Sequence, residues 1–186
     1  MEYTHHYDSP LGGITLRSDG EALTGLRFDG QKRFEAAPPE AHEDRSLPVF
    51  AQAERWLDAY FGGKQPDFTP LLHLRASAFR VAVWEELLTI PYGQTTTYGA
   101  VAKTVAARMG LPRMSAQAVG GAVGHNPIAL IIPCHRVVGA DGSLTGYAGG
   151  IERKRGLLAL ERSCGAPGFP EFSIFAGERV EIPKNL

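Results

Sequence analysis

Cysteine is scarce in this chain of 186 residues, which contains only Cys134 and Cys164. Two thiols cannot form the disulfide framework of small secreted proteins, so the composition favours a reducing compartment. The first residues, MEYTHHYDSP, lack the basic and apolar regions of a signal peptide, and no apolar run approaches the roughly 20 residues that span a bilayer. Together these absences predict a cytoplasmic protein with no membrane partner.

Net charge is also nearly absent, at −1, which by itself argues against a nucleic-acid partner. The charges are, however, unevenly distributed. Residues 1–76 carry 8 Lys or Arg against 12 Asp or Glu, whereas residues 77–163 carry 9 against 5. A segment with its own positive balance is typical of proteins that bind a polyanion. Chance clustering on a solvated face would give the same pattern.

The first 76 residues predict a small α/β domain. Short β-like runs alternate with turns up to residue 30, and the Asp19-Gly20 pair between two of them is a strong hairpin signal. Apolar residues at helical spacing predict a helix over residues 49–63, which two glycines end. KQPDFTPLLHLR has the composition of a linker, so we place the domain boundary near residues 64–76.

Residues 77–164 predict a mainly helical domain. Ser77 can cap a first helix, Gly110 closes a second, and Ser115 opens a third. The second and third helices have the spacing of a helix-turn-helix motif, although ordinary helix packing uses the same spacing. This pattern alone therefore leaves DNA binding and simple packing both open.

The remainder of this half predicts a strand, a loop and a helix. The apolar run IALIIP at residues 128–133 predicts a buried strand, and residues 137–150 form a glycine-rich loop. Residues 151–163 predict a final helix. The sequence gives no role to the tail at residues 165–186.

The third helix is unusually poor in side chains. Its sequence, SAQAVGGAVGH, includes the adjacent pair Gly120 and Gly121. Each interior glycine costs roughly 0.8–1 kcal/mol relative to alanine, so close approach to another backbone is expected. That backbone can belong to the protein or to a nucleic acid.

Cys134 and His135 are the candidate reactive pair. A free thiol needs help to ionise near neutral pH, and a histidine with an acceptor on its second nitrogen can supply that help. Glu161 is the acceptor that sequence order offers. Neighbours on an extended segment point to opposite sides, so a water bridge or a turn after Cys134 is required. Without further information, a lone cysteine–histidine pair is more often structural than catalytic.

The sequence around Cys134 is the most distinctive part of the chain. PCHRV, preceded by NPIALII and followed by GSLTGYAGG, closely resembles the O6-alkylguanine-DNA alkyltransferases, in particular the bacterial Ogt-like members. YGQTTTYGAVA, AVGGAVGHNP and LLALE extend the match from about Phe79 to Glu161, while DSPLGGITL matches more loosely. The resemblance implies an α/β N-terminal domain with a ribonuclease H-like strand arrangement and a mainly α C-terminal domain with a helix-turn-helix.

The activity that the resemblance implies is direct DNA repair. The family moves the alkyl group of O6-alkylguanine in double-stranded DNA irreversibly onto its own cysteine, here Cys134, after the nucleotide flips out of the duplex. O4-alkylthymine is a second expected substrate. His135, acting through a water molecule, would remove the thiol proton, and Glu161 would orient His135. Asn126 would brace the turn that precedes the cysteine, and Tyr98 would donate to the leaving guanine.

The resemblance also implies positions that contact the base and the duplex. Backbone groups of Cys134, Val137 and Ala148 would read the base edge beside Tyr98, and Tyr147 would form a wall of the pocket. The third helix would enter the minor groove, with Gln117 where the family commonly has an arginine that fills the gap left by the flipped base. The expected DNA contacts are Arg113, Ser115, Ala116, Gln117, Gly120, Gly121 and Arg136.

We expect no cofactor and no metal ion. Some family members hold a structural zinc ion in the N-terminal domain, but no cysteine precedes residue 134 here. The histidines of that half are His5, His6, His42 and His73. A monomer is expected, and Cys164 is expected to be an incidental surface thiol.

Other functions compatible with this scaffold remain as alternatives. The alkyltransferase-like DNA binders lack the cysteine, so Cys134 argues against that class. A cysteine hydrolase could use the same three residues, and continued turnover would distinguish it from a single-use transferase. A transcription-activating role is not expected, because the additional N-terminal metal module of those relatives is missing.

Overall fold

The structure, a computed structural model, describes residues 1–31, 42–43 and 47–163. Cys164, predicted to be an incidental surface thiol, and the tail at residues 165–186 lie outside the described residues. The N-terminal part contains strands β1 (Tyr3–Ser9), β2 (Gly12–Ser18), β3 (Leu23–Phe28) and β4 (His42–Glu43), followed by helix α1 (Pro48–Phe61). The C-terminal part contains helices α2 (Ala78–Leu88), α3 (Tyr98–Arg108), α4 (Ala116–Gly124) and α5 (Ile151–Arg162), with short strands β5 (Thr96–Thr97) and β6 (Val137–Val138).

The four N-terminal strands form one sheet in the order β3-β2-β1-β4. β1, β2 and β3 are antiparallel neighbours, and β4 runs parallel to β1. Asp19 closes the β2–β3 turn because its Oδ1 accepts from the backbone N–H groups of Glu21 and Ala22, and Gly20 takes a left-handed φ of 109°. The predicted hairpin at Asp19-Gly20 is therefore confirmed.

The helices begin where the sequence places their capping residues. The hydroxyl of Ser77 accepts from the N–H of Arg80, that of Thr97 from Ala100, and that of Ser115 from Ala118. α2, α3 and α4 pack against one another, and the Trp84 indole N–H donates to the Ala122 carbonyl at 2.9 Å. The predicted helices at 49–63 and 151–163 are confirmed as α1 and α5, within two residues of their predicted ends.

The strand predicted over residues 128–133 is wrong. This run is buried, but it folds as successive tight turns, with Leu130 in the left-handed region at φ 68°. Only Ile128 pairs with a strand, through a bridge to Leu26. A short apolar run indicates burial without fixing the backbone conformation, which is why periodicity misread it.

The N-terminal sheet contacts the segment that leads to Cys134 directly. The N–H of Leu26 donates to the Pro127 carbonyl at 3.0 Å, and the N–H of Ala129 donates to the Leu26 carbonyl at 2.8 Å. The apolar residues of both parts belong to one continuous core. Within the described residues, no helix is both long enough and apolar enough to cross a membrane.

Candidate active site

Cys134 begins a single 3₁₀ turn, Cys134–Arg136, that follows the stiff Pro133. The turn supplies the change of direction that an extended chain would lack, and so adjacent side chains need not point to opposite sides. Cys134 is only 7 % exposed, yet it forms part of the lining of a pocket. The thiol is therefore buried from most of the surface but not sealed off.

His135 lies behind the thiol in a fully buried relay. Its Nε2 is 2.6 Å from Oε1 of Glu161, and both side chains have no exposed surface. Burial lowers the pKa of His135, although Glu161 opposes that effect, so the imidazole is neutral near pH 7. Because an ionised Glu161 requires a proton on Nε2, the lone pair of the neutral ring is on Nδ1. Nδ1 is buried and has no hydrogen-bond partner in the described part of the chain.

Glu161 is held as a carboxylate by several donors. Arg136 donates from Nε to Oε2 at 2.9 Å and from Nη2 to Oε1 at 3.0 Å. The Gly93 N–H donates to Oε2 at 3.0 Å, and the Tyr60 hydroxyl donates to Oε1 at 2.8 Å. Burial alone would raise the pKa of Glu161, but the hydrogen bonds and charges of His135 and Arg136 outweigh it and lower that pKa to about 2.

Arg136 requires a correction, because it was predicted to contact DNA. It is 8 % exposed, and its third donor group, Nη1, bonds to the Ile90 carbonyl at 2.7 Å. Its guanidinium also lies 5.5 Å from the centre of the Tyr92 ring. All of these contacts face the interior, so Arg136 is a partner of Glu161 and not part of a DNA-binding surface.

Lys154 is a buried cation near the thiol that sequence reasoning missed. It is 0 % exposed, and its Nζ donates to the carbonyls of Val137 at 2.6 Å and Thr145 at 3.0 Å. Burial raises the pKa of Cys134, and hydrogen bonding by Asn126 and the charge of Lys154 partly offset this. Lys154 precedes Glu161 by two helical turns, and that spacing on one helix face was a usable signal.

The pocket at Cys134 is small and opens to solvent; the empty space in and in front of it is about 270 Å³. Its widest part has room for about one water molecule, so a base can enter only if the walls move. Tyr147 and Ala148 line it, as predicted, and so do Asn126 and Gly124. The Tyr147 hydroxyl is buried with no partner among the described residues, and burial raises its pKa well above the usual value.

Two residues expected beside the base have contacts of their own. The Tyr98 hydroxyl donates to the Thr145 carbonyl at 3.0 Å, and burial, followed by the charge of Cys134, raises its pKa. The Val137 carbonyl accepts from Lys154, and Val137 pairs with Thr96 between β6 and β5. Tyr98 is therefore close to the thiol, while Val137 lies behind the pocket wall.

Gln31 and Asn126 are the remaining polar residues of the pocket. The Asn126 side chain donates to the Ile132 carbonyl at 2.8 Å and accepts from the Ile128 N–H at 3.0 Å. It therefore braces the turns before Cys134. Gln31 was missed, because it follows a turn in the distant N-terminal part. It is 8 % exposed, with no partner for its Oε1 in the described residues.

Helix α4 presents a nearly bare surface to solvent. Arg113 lies exposed before the helix, and the first helical turn, with Ala116 and Gln117, is exposed after its capping residue. A Cβ added at Gly121 would meet nothing within 4 Å, and one at Gly120 would lie 3.8 Å from the Tyr98 ring, an ordinary contact. Packing within the protein therefore does not require either glycine.

The described residues contain no group of three or more His, Cys, Asp or Glu side chains that could hold a metal ion. The side chain of His42 is not among those described. His5 bonds instead to Glu54 at 2.8 Å, and His73 to Asp19 at 2.7 Å.

Comparison with known proteins gives consistent matches over both halves. Residues 3–75 match the ribonuclease-like domain of 6-O-methylguanine DNA methyltransferase, and residues 78–163 match its DNA-binding domain. A methylated-DNA–protein-cysteine methyltransferase of Mycobacterium tuberculosis is 49 % identical over 161 residues, covering 85 % of this chain and 93 % of the relative. The enzyme of the same name from Haemophilus influenzae is 42 % identical over 161 residues, covering 86 % of each chain.

Known structures give the same result. The crystal structure of Mycobacterium tuberculosis OGT in complex with DNA superposes with a TM-score of 0.78 and 46 % identity, covering 89 % of this chain and 95 % of that one. A methyltransferase from Pyrococcus kodakaraensis has a TM-score of 0.59 at 24 % identity, with 87 % and 99 % coverage, and shares the fold. The chain thus has two domains, a ribonuclease-like one followed by a DNA-binding one.

Proposed function

Since the chain belongs to the 6-O-methylguanine DNA methyltransferase family, which repairs O6-alkylguanine in DNA by alkyl transfer to a cysteine, we propose that Cys134 is the acceptor. The observation that carries this proposal is the position of Cys134, in the lining of a pocket in front of the His135–Glu161 relay. The domains proposed for this function are residues 1–76 and residues 77–164. A monomer is sufficient, because the site needs no second chain.

The thiol is activated by loss of its proton toward His135. Burial raises the pKa of Cys134, so the resting sulfur holds its proton. His135 Nδ1 accepts this proton through a bridging water, and the Glu161 carboxylate stabilises the resulting imidazolium. Lys154 remains close enough to stabilise the thiolate by its charge. The sulfur then attacks the alkyl carbon, and the carbon–O6 bond breaks with its electron pair going to guanine.

The product explains why one molecule acts once. A thioether has no bond that a neighbouring base can hydrolyse, so the reaction ends at one equivalent of alkyl group per protein. The departing guanine gains charge on its ring, and Tyr98 donates to it after leaving its present acceptor, the Thr145 carbonyl. O4-alkylthymine presents the same kind of alkyl–oxygen bond and is proposed as a second substrate.

Access to the thiol requires a flipped nucleotide. The target carbon is inside the duplex, and rotation of a nucleotide out of the stack costs a few kcal/mol. The base then enters the pocket that Tyr147 and Ala148 line, and the pocket walls must move because the closed pocket holds about one water molecule. Backbone groups of Cys134 and Ala148 face the base edge. The Val137 carbonyl already accepts a hydrogen bond from Lys154, so it contributes only if it accepts from the base as well.

Helices α3 and α4 are proposed to act as a helix-turn-helix that uses the minor groove. The bare face of α4, with its exposed Gly121, allows close approach to a narrow groove. Gln117 at the start of the helix fills the gap left by the flipped base, and Arg113 contacts a phosphate. Ser115, Ala116 and Gly120 approach the backbone without adding bulk.

One experiment tests both the reaction and its site. The protein is mixed with a duplex that contains one O6-methylguanine, digested, and analysed by mass spectrometry. We expect one methyl group per protein, on the peptide that contains Cys134, and none for Cys134→Ser. Cys164→Ser is the matched control and should still accept one equivalent. Continued release of product beyond one equivalent would instead identify a hydrolase.

A further inference from the structure

A cluster of arginines on the described surface lies outside the thiol pocket. An open cavity of about 400 Å³ lies between the edge of the N-terminal sheet, the start of α2 and the end of α4. Among the described residues, four arginines and His125 line it, and no described aspartate or glutamate does. The arginines are Arg17, Arg27, Arg75 and Arg80.

Most of the arginines in this cavity come from the N-terminal domain, whose net charge is negative. Residues 1–76 carry an excess of acidic residues, yet three of their eight basic residues line this one cavity. Glu2 lies 3.5 Å from Arg17, and Asp19 lies 3.2 Å from Arg75. Such a cavity attracts anions, and guanidinium groups match the oxygens of a phosphate geometrically.

The cavity adjoins the thiol pocket. Gly124, the last residue of α4, lines both, and the cavity continues through His125 and Pro127. A duplex carries one negative charge per roughly 1.7 Å of its axis, so DNA docked on α4 brings many phosphates within reach of this end of the helix. Neither domain could form the cavity alone.

We propose that this arginine cavity binds the DNA backbone beside the flipped nucleotide, and so gives the N-terminal domain a direct part in holding DNA. The inference rests on the proposed function of Cys134, since that function brings the duplex to α4. It also supplies the positive charge that Gln117 lacks. The ligand is a phosphodiester of the flanking strand.

The test removes two of the charges where the fold depends on them least. Arg75 is 69 % exposed, and Arg80 lies at the first turn of α2. The double variant Arg75→Gln/Arg80→Gln is compared with Arg55→Gln/Lys64→Gln, which removes the same charge from the middle of α1 and from the segment just after it, outside the cavity. Fluorescence anisotropy gives the Kd for an O6-methylguanine duplex over a range of salt concentrations.

We expect the cavity variant to bind about tenfold more weakly, with the slope of log K against log salt reduced by about two, and the α1 variant to match the parent. Duplexes with one neutral methylphosphonate at each flanking position locate the contact. In the parent, one or two positions should lose affinity, and in the cavity variant those positions should have no further effect. Equal affinities, or equal profiles in both proteins, would overturn the proposal.

Two further measurements separate this proposal from its alternatives. Alkyl transfer from a free O6-alkylguanine base needs no backbone contact and should be unchanged in the cavity variant. If the parent itself transfers nothing from the base or from DNA, the proposed function fails instead. If inorganic phosphate at matched ionic strength raises the Tm of the parent but not of the variant, while DNA affinity is equal, the cavity is a small-anion site and the proposal is wrong.

Discussion

The relay behind Cys134 and the exposed face of α4 are built by opposite means. The relay and its neighbours comprise five charged or polar side chains that are almost completely buried, and each bonds to a defined partner within the protein: Tyr60, His135, Arg136, Lys154 and Glu161. The α4 face has almost no side chains, and its glycines meet no close atoms of the protein. In the proposed function, the chemistry is therefore assembled before DNA arrives, whereas the α4 face is left open for DNA to complete.

The largest expected effect comes from breaking the relay at its centre. Glu161→Gln leaves Arg136 buried without a counter-charge, which costs about 3–5 kcal/mol of unfolding free energy. It also removes the charge that supports His135, so methyl transfer should be lost. Urea unfolding and single-turnover transfer measure the two effects.

A second change separates stability from chemistry in that variant. Adding Arg136→Met removes the unpaired charge and should restore most of the stability without restoring transfer. Glu152→Gln, which breaks the exposed pair with Arg155, is the matched control and should change stability by less than about 1 kcal/mol. If Glu161→Gln behaved like this control, the buried relay would have no special role.

The next effect appears on acidification. The pKa of Glu161 is lowered to about 2 in the folded protein, below the value of about 4.3 in an unfolded chain. A carboxyl with a lowered folded pKa stabilises the fold above the unfolded pKa, and that contribution is lost as the pH falls through the folded pKa. We expect a loss of roughly 3 kcal/mol between about pH 4.5 and pH 2. Urea unfolding across this range should show a shallower decline for Arg136→Met/Glu161→Gln, and an equal decline would contradict the assignment.

A smaller effect is expected on the open face. Gln117→Arg should tighten duplex binding by about 3- to 10-fold, because a guanidinium adds a charged contact. Transfer from a free alkylated base should stay the same. Anisotropy and single-turnover rates check this, and unchanged affinity and rate on duplex would show that Gln117 does not contact DNA.

The smallest effect sharpens the comparison most directly. Gly121→Ala should stabilise the free protein by about 0.8–1 kcal/mol, because the added Cβ meets no neighbour and alanine is the better helix former. The same methyl group should weaken DNA binding if α4 presses into a groove. Thermal unfolding and anisotropy measure the two quantities, and a stabilised variant with unchanged affinity would place DNA elsewhere.

The sequence predicted the parts of this site whose signals are local. Helix caps at Ser77, Thr97 and Ser115 depend on residues three positions away, so they could be read along the chain. The Cys134–His135 pair could be predicted in the same way, because it lies within the five-residue motif PCHRV. Partners from the N-terminal domain could not be predicted, since nothing in their own neighbourhood marks Tyr60 or Gln31 as reaching the active site.

Arg136 and the run at 128–133 show the limits of reading single residues. An arginine beside a reactive cysteine in a DNA-repair family suggests a phosphate contact, and only the folded chain shows Glu161 and the Ile90 carbonyl surrounding it. The apolar run predicted burial correctly, but the left-handed Leu130 and the bracing side chain of Asn126 fold it into turns. Burial follows from composition, whereas backbone direction depends on partners that are distant in sequence.

Tyr60 makes the relay behind Cys134 depend on both domains. It is the one member of the relay that comes from the N-terminal domain, and its hydroxyl reaches Glu161 at 2.8 Å and His135 at 3.3 Å. A fragment cut in the linker would keep Cys134 and helix α4 but would open a hydrated hole beside the carboxylate of Glu161. The helical domain alone therefore lacks part of the relay. Fusions or truncations that retain only residues 77–163 should keep the PCHRV motif, but the reactivity of Cys134 should be impaired.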